Sequence, residues 1–187
     1  MRLELRTSLL LTLALFAADP AQPAASTSLG STDALRCYQE SMFPFSNQGI
    51  DFCNNAISHG DLTRRDLAAT YSNRGIIHAK NGKFEKALED HDRAVRLKPD
   101  MPQVHINRGN ALYHTHEYEH ALTEFDKAIA TDAGLLPTSL FNKALTLIKL
   151  HRIQEARSAL ETALEADPES RRIKGILDGF DSLGEPS

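Results

Sequence analysis

The sequence predicts an all-α solenoid of stacked helix-turn-helix units, with a divergent hairpin at the N-terminal end and a capping helix at the C-terminal end. Three observations predict it. The triplet Asn73-Arg74-Gly75 returns as Asn107-Arg108-Gly109 and again as Asn142-Lys143-Ala144, in steps of 34 and 35 residues. Lys86-Ala87-Leu88, His120-Ala121-Leu122 and Glu155-Ala156-Arg157 keep the same two steps. Breakers such as Asn81-Gly82-Lys83 and Lys98-Pro99-Asp100 punctuate the period. A period of this size, shared by independent markers, marks a helix-turn-helix array.

The elements follow in chain order. Met1 to Arg6 carries two arginines, Leu9 to Ala18 is an apolar run of about ten, and residues 19–26 are small and Pro-rich. That is the layout of an export signal, so residues 1–26 are read as a signal peptide, cleaved somewhere between 17 and 26, and 27–33 as a linker. The run is too short to span a bilayer, and no membrane span is expected in the mature chain. Ala34–Ser41 and Gln48–Ile57 read as a helix hairpin around the turn Met42–Gln48. Cys37 and Cys53, the only two cysteines, stand one on each helix. An even count in an oxidising compartment favours a bridge between them; two buried free thiols are the alternative.

Asp66 to Lys80 and Phe84 to Leu97 then form the two helices of a first full unit. Proline cannot continue a helix, so Pro99 ends it. Pro102 and Pro137 sit near the starts of the next two first helices, where a missing N–H costs little. Gly75, Gly109 and Ala144 fall mid-helix, where glycine costs about 1 kcal/mol relative to alanine and needs a packing reason. The expected reason is close approach to Ala87, Ala121 and Ala156 of the opposing helices. Ala94, Ala128 and Ala163 continue those faces, with Phe84, Leu88, Val95, Leu97, Tyr118, Leu122, Phe125, Ile129, Ile153, Leu160 and Leu164 as the bulky side chains between. Arg171 to Leu183 has apolar residues on one face and charges on the other, as the last helix of a stacked array requires.

With these residues the chain resembles the tetratricopeptide repeat family. Setting Gly75, Gly109 and Ala144 at the family's eighth position gives units 68–101, 102–136 (one residue long) and 137–170, and places the alanines at its twentieth and twenty-seventh positions. The usually aromatic fourth position holds Tyr71 but then His105 and Leu140, the eleventh holds His78, then Leu112 and Leu147, and Ala133 stands for the final proline of the middle unit. The resemblance makes 34–66 a divergent unit and 171–183 the cap, within a repeat domain at 34–183 and ahead of a tail at 184–187. The stretch from Cys53 to Gly75 resembles exported bacterial members, which implies a Gram-negative periplasm.

No catalytic motif is legible: there is no G-x-S-x-G, phosphate loop, G-x-G-x-x-G or H-E-x-x-H, so no enzymatic activity and no cofactor is expected. A net charge of −4 with mixed signs argues against nucleic acid, which asks for a basic stripe. His114, His116 and His120 straddle one turn beside Glu117 and Glu119; they are either a solvated turn or, in the alternative reading, the site of a metal or small-molecule carrier. His78, His91 and His105 fall on packing positions.

The resemblance points to the face formed by the first helices as a groove for a protein or peptide partner. It implies Asn73 and Ile76 in the first unit, Ile106, Asn107, Asn110 and Tyr113 in the second, and Phe141, Asn142 and Leu145 in the third. Three asparagines on one line could bond the backbone of an extended ligand, or each could bond the neighbouring first helix. Family members that grip a C-terminal carboxylate do so with Lys, Arg and Asn at the groove's second, fifth and sixth positions. Here the second and fifth hold Ala69, Ser72, Gln103, Ile106, Thr138 and Phe141, so that clamp's cations are absent. The expected function is an exported adaptor or scaffold. The oligomeric state is not set by the sequence.

Overall fold

The computed structural model describes residues 32–43 and 48–182. The expected signal segment 1–26, nearly all of the expected linker, the centre of the turn between the cysteines, Leu183 and the tail lie outside the described residues. These residues form two compact units, 32–133 and 134–182, all helical and without a strand among them.

The first unit holds three hairpins: α1 (Thr32–Met42) with α2 (Gln48–His59), α3 (Arg64–Lys80) with α4 (Phe84–Leu97), and α5 (Pro102–His114) with α6 (Tyr118–Thr131). Successive first helices are neighbours, α1 against α3 and α3 against α5, which is the stacking that a repeat array uses to bury one continuous core. The second unit holds α7 (Leu136–Lys149), α8 (Ile153–Ala166) and the capping helix α9 (Arg171–Ser182), with α8 packed on both of the others. A 3-10 turn, Ala133–Leu135, absorbs the extra residue of the middle repeat.

Local chemistry sets the helix ends. α3 starts two residues before the expected Asp66, because Thr63 caps it: Thr63 Oγ1 accepts the Asp66 N–H at 3.1 Å and donates to Asp66 Oδ2 at 2.7 Å. Such a cap contributes about 1 kcal/mol. At the other end the Lys83 N–H reaches His78 O and the Gly82 N–H reaches Ala79 O, both at 2.9 Å, with Gly82 at φ 72°. This double closure recurs at each turn. Glu117 and His116 bond Leu112 O and Tyr113 O, and Arg152 and His151 bond Leu147 O and Ile148 O. The left-handed residue is therefore Gly82, then His116 at φ 65°, then His151 at φ 59°.

The close approach at the mid-helix glycines is real, but its partner is a ring, not an alanine. A Cβ on Gly75 would lie 2.7 Å from His91 Cε1, and one on Gly109 would lie 2.6 Å from Phe125 Cε1. Ala87 and Ala121 are fully buried beside them; glycine is needed because a flat ring further along the opposing helix fills the space. Ile153 also departs from its expected packing and stays 39% exposed. Its counterpart Phe84 is stacked on His114 of the next hairpin, ring centroids 4.6 Å apart, whereas after α8 the described residues hold a single helix and no such turn.

Candidate functional site: the face of the first helices

α3 buries Ser72, Asn73 and Ile76 and leaves Ala79 and Lys80 half-buried. α5 buries Ile106 and Asn107 and leaves Gln103, Asn110, Tyr113 and His114 half-buried. The Asn107 amide donates to Ser72 Oγ at 3.1 Å, so this asparagine ties the two first helices together, as in the second of the two roles open to it. Asn73 Oδ1 is buried without a hydrogen-bond partner. Lys80 Nζ donates to Ser41 O at 2.6 Å and Phe43 O at 3.1 Å. Its charge therefore closes the C-terminal end of α1, where cations are favoured, and burial lowers its pKa.

In the second unit α7 buries Phe141, Asn142 and Leu145 and leaves Thr138, Ile148 and Lys149 half-buried. Arg172 of α9 sets its guanidinium carbon 3.9 Å from the Phe141 ring centroid, a stacked cation–π contact. Neither amide atom of Asn142 has a hydrogen-bond partner, and its backbone carbonyl accepts from Thr146 Oγ1 at 2.8 Å. Asn73 and Asn107 thus share one unit and Asn142 lies in the other.

Tyr113 anchors a cluster of rings at the turn edge. It meets His114 at 5.5 Å and Tyr118 at 5.6 Å, both edge-on, and packs on the buried Leu112, Ala121 and Phe125. Burial, then Tyr118, pushes its hydroxyl up to about 12, so it is a neutral donor at any physiological pH. The three turn histidines do not converge. His114 stacks on Phe84, with burial the main cause of its lowered pKa; His116 Nδ1 lies 2.8 Å from the Tyr118 hydroxyl; His120 Nδ1 lies 3.2 Å from Glu117 Oε2. No group of three His, Cys, Asp or Glu among the described residues could hold a metal ion.

Two ion pairs, each between a half-buried arginine and a buried carboxylate, keep the period of the sequence. Arg74 forks onto Asp90 at 2.6 and 2.7 Å and reaches Asn54 of α2 at 2.6 Å. Thirty-four residues on, Arg108 binds Glu124 at 3.0 Å and reaches back to Asp92 of α4 at 2.6 Å. The arginine of the recurring triplet therefore joins its own second helix to the hairpin before it. Glu124 also meets His105 Nδ1 and Lys127 Nζ, each at 2.7 Å. Burial raises its pKa, but these three partners outweigh it and hold the carboxyl at about 2. His91 is fully buried and burial pushes it down to about 4. In the third repeat Lys143 and Ala159 occupy the two positions, and Ala159 carries no charge to pair.

Cys37 and Cys53 are joined by a disulfide, Cα atoms 4.8 Å apart, with both residues fully buried against Ile77. No helix among the described residues is long and apolar enough to cross a membrane.

Comparison with known proteins agrees with the register of the repeats. The tetratricopeptide repeat family matches residues 68–101 and 137–170. A human tetratricopeptide repeat protein 6 is 32% identical over 78 residues, 40% of this chain and 14% of that protein. An Hsp70-Hsp90 organising protein of Plasmodium falciparum is 26% identical over 146 residues, 74% of this chain and 52% of that one. The chain thus spans only a part of these relatives. Among solved structures, the first TPR of Spaghetti (RPAP3) bound to the HSP90 peptide SRMEEVD superposes with a TM-score of 0.60 at 19% identity, over 65% of this chain and 96% of that one, a likeness of fold.

Proposed function

We propose that this chain, an α-solenoid carrying tetratricopeptide repeats, is an exported periplasmic adaptor that docks a segment of another protein on its first-helix face. The observation that carries the reading is the division of labour on α5. Ile106 and Asn107 are buried and structural, while Gln103, Asn110 and Tyr113 stay half-exposed beside them. They offer two amides that both donate and accept, and one aromatic anchor, the side-chain types that bind backbone and fill hot spots.

The comparisons support protein binding in general, since similar folds hold peptides. The ligand class differs. SRMEEVD is acidic, and the second and fifth first-helix positions here carry no cation. An uncharged, apolar-anchored segment fits Tyr113 and Asn110 better.

Crosslinking capture from a cell-envelope fraction, followed by the same capture with Tyr113→Ala and Asn110→Ala, tests the reading. Capture should fall about 5- to 150-fold, the equivalent of roughly 1 to 3 kcal/mol, with both variants still folded at the temperature of the capture. Capture that survives both substitutions removes the face from consideration. Fusion of residues 1–30 to a reporter active only outside the cytoplasm tests export; a silent reporter would end the periplasmic part of the proposal and leave the docking part standing.

A further inference from the structure

His105 is buried near the start of α5, and both of its ring nitrogens face oxygens that can only accept. Nδ1 lies 2.7 Å from Glu124 Oε2 of α6, and Nε2 lies 2.8 Å from the carbonyl oxygen of Pro99, in the loop between α4 and α5. A backbone carbonyl has no proton to give. Glu124 has none either. Burial opposes its ionisation, but Lys127 Nζ at 2.7 Å and Arg108 Nη1 at 3.0 Å, both on Oε1, join His105 in keeping the carboxylate charged. A neutral imidazole carries one N–H and one bare nitrogen. In either tautomer a lone pair would point at an oxygen, and that oxygen would lose its donor, which costs free energy inside a protein. Turning the ring over would set carbons against both oxygens, so the alternative side-chain placement offers no escape.

We propose that His105 is a doubly protonated, buried imidazolium in the folded protein, and that its second proton is a latch that ties the α4–α5 loop to α6. The charges on the neighbouring elements fit this. Lys127 of α6 is half exposed, so water screens its charge. Arg108 of α5 is shared with Asp92 of α4, at 2.6 Å. Lys98 and Asp100, on either side of Pro99, pair with each other at 2.9 Å. α3 meets this part of α5 through Ala68, Ala69 and the ring of Tyr71. When one proton leaves, the charge-assisted bond keeps its hydrogen. Nδ1–H stays on Glu124, and Nε2 turns bare against Pro99 O. The tie to the loop then opens at the first turn of α5, where Gln103 stands. The folded state thus holds a proton that an unfolded chain gives up above about pH 6.5. The latch therefore stabilises fully below that pH, and its contribution is lost as pH rises further. This is the opposite sense to His91.

Nitrogen NMR of the full chain, isotope-labelled at histidine, tests the proposal. At about pH 7.5 an ordinary histidine is about nine-tenths neutral, yet both ring nitrogens of His105 should carry protons. Its signals are identified by their absence from His105→Gln. Should that variant fail to fold, the ring's nuclear Overhauser contacts to Pro99 and Glu124 identify them in the unaltered protein. As pH is raised in steps, the backbone amide signals of Asp100 and Met101 should shift at the same midpoint as the ring. A His105 ring with one bare nitrogen at about pH 7.5 overturns the imidazolium, and the proposal with it. Loop amides that stay in place while the ring loses its proton overturn the latch.

Discussion

Gly109 and Phe125 touch so closely that a single added methyl on the glycine would lie 2.6 Å from the ring. Phe125 is 1% exposed and packs on Leu112 and Ala121, so it has nowhere to retreat. Gly109→Leu is therefore expected to cost about 3 kcal/mol, the upper part of the usual range for overpacking. A thermal midpoint within error of wild type would show that the ring yields more easily than this packing implies.

His91 stands at the place of Phe125 one repeat earlier, against Gly75. It is buried with Nδ1 unsatisfied and its pKa pushed from 6.5 to about 4. The folded state therefore binds fewer protons than the unfolded one between those values. Its contribution is full above pH 6.5 and is lost as pH falls toward 4. From about pH 7 to pH 5 the loss is about 2 kcal/mol. His91→Phe should abolish that part of the acid sensitivity and raise stability at about pH 7 by about 1 kcal/mol, since an unpaired buried nitrogen goes with it. Parallel pH–stability curves for the two proteins would refute the assignment.

Glu124 works in a lower window. Its pKa falls from 4.5 to about 2, so its stabilisation is complete above pH 4.5 and fades toward pH 2. Glu124→Gln leaves the buried His105 and half-buried Arg108 without their carboxylate and is expected to cost about 3 kcal/mol at about pH 7. Denaturation in urea at about pH 7 and about pH 3 checks this: the gap between variant and wild type should narrow at the lower pH.

His151 is exposed at φ 59°. A left-handed residue with a Cβ costs about 1–2 kcal/mol, partly offset by the greater freedom that glycine has when unfolded. His151→Gly should stabilise by about 0.5–1 kcal/mol, seen as a higher melting midpoint. A lower midpoint would mean that the imidazole makes a contact worth more than the strain.

The Cys37–Cys53 bridge closes a loop of about 15 residues and is expected to contribute about 3 kcal/mol in the chain-entropy view. Thiol titration of the unfolded, unreduced protein should find no free sulfhydryl, and Cys37→Ser with Cys53→Ser should lower the urea midpoint accordingly. Two titratable thiols would exclude the bridge in the native protein.

Much of this was legible in one chain because a repeat aligns with itself. The helix ends at Lys80, Phe84, Leu97 and Pro102 follow from Gly82, Pro99 and Pro102, which act locally. The left-handed roles of His116 and His151 were equally readable, since they fall on Gly82 at the same 34 and 35 steps. The Arg74–Asp90 and Arg108–Glu124 pairs were hidden for a different reason. Sixteen residues separate the partners, a distance no helical periodicity brings together, and only the packed hairpin does. Asn107 was visible as a recurring amide, but whether it serves a ligand or Ser72 depends on the spacing of two helices, which the sequence does not carry.

The disulfide gives the array a direction. An unstapled solenoid can peel from either end, one hairpin at a time. Here the first hairpin is a covalent ring, and Lys80 and Arg74 fasten it to α3 through Ser41, Phe43 and Asn54. At the far end α9 is held at its surface by Arg157–Asp181, and Ile173 is its one buried apolar side chain among the described residues. Pulled or heated, the chain should therefore give way at α9 before it gives way at the stapled hairpin.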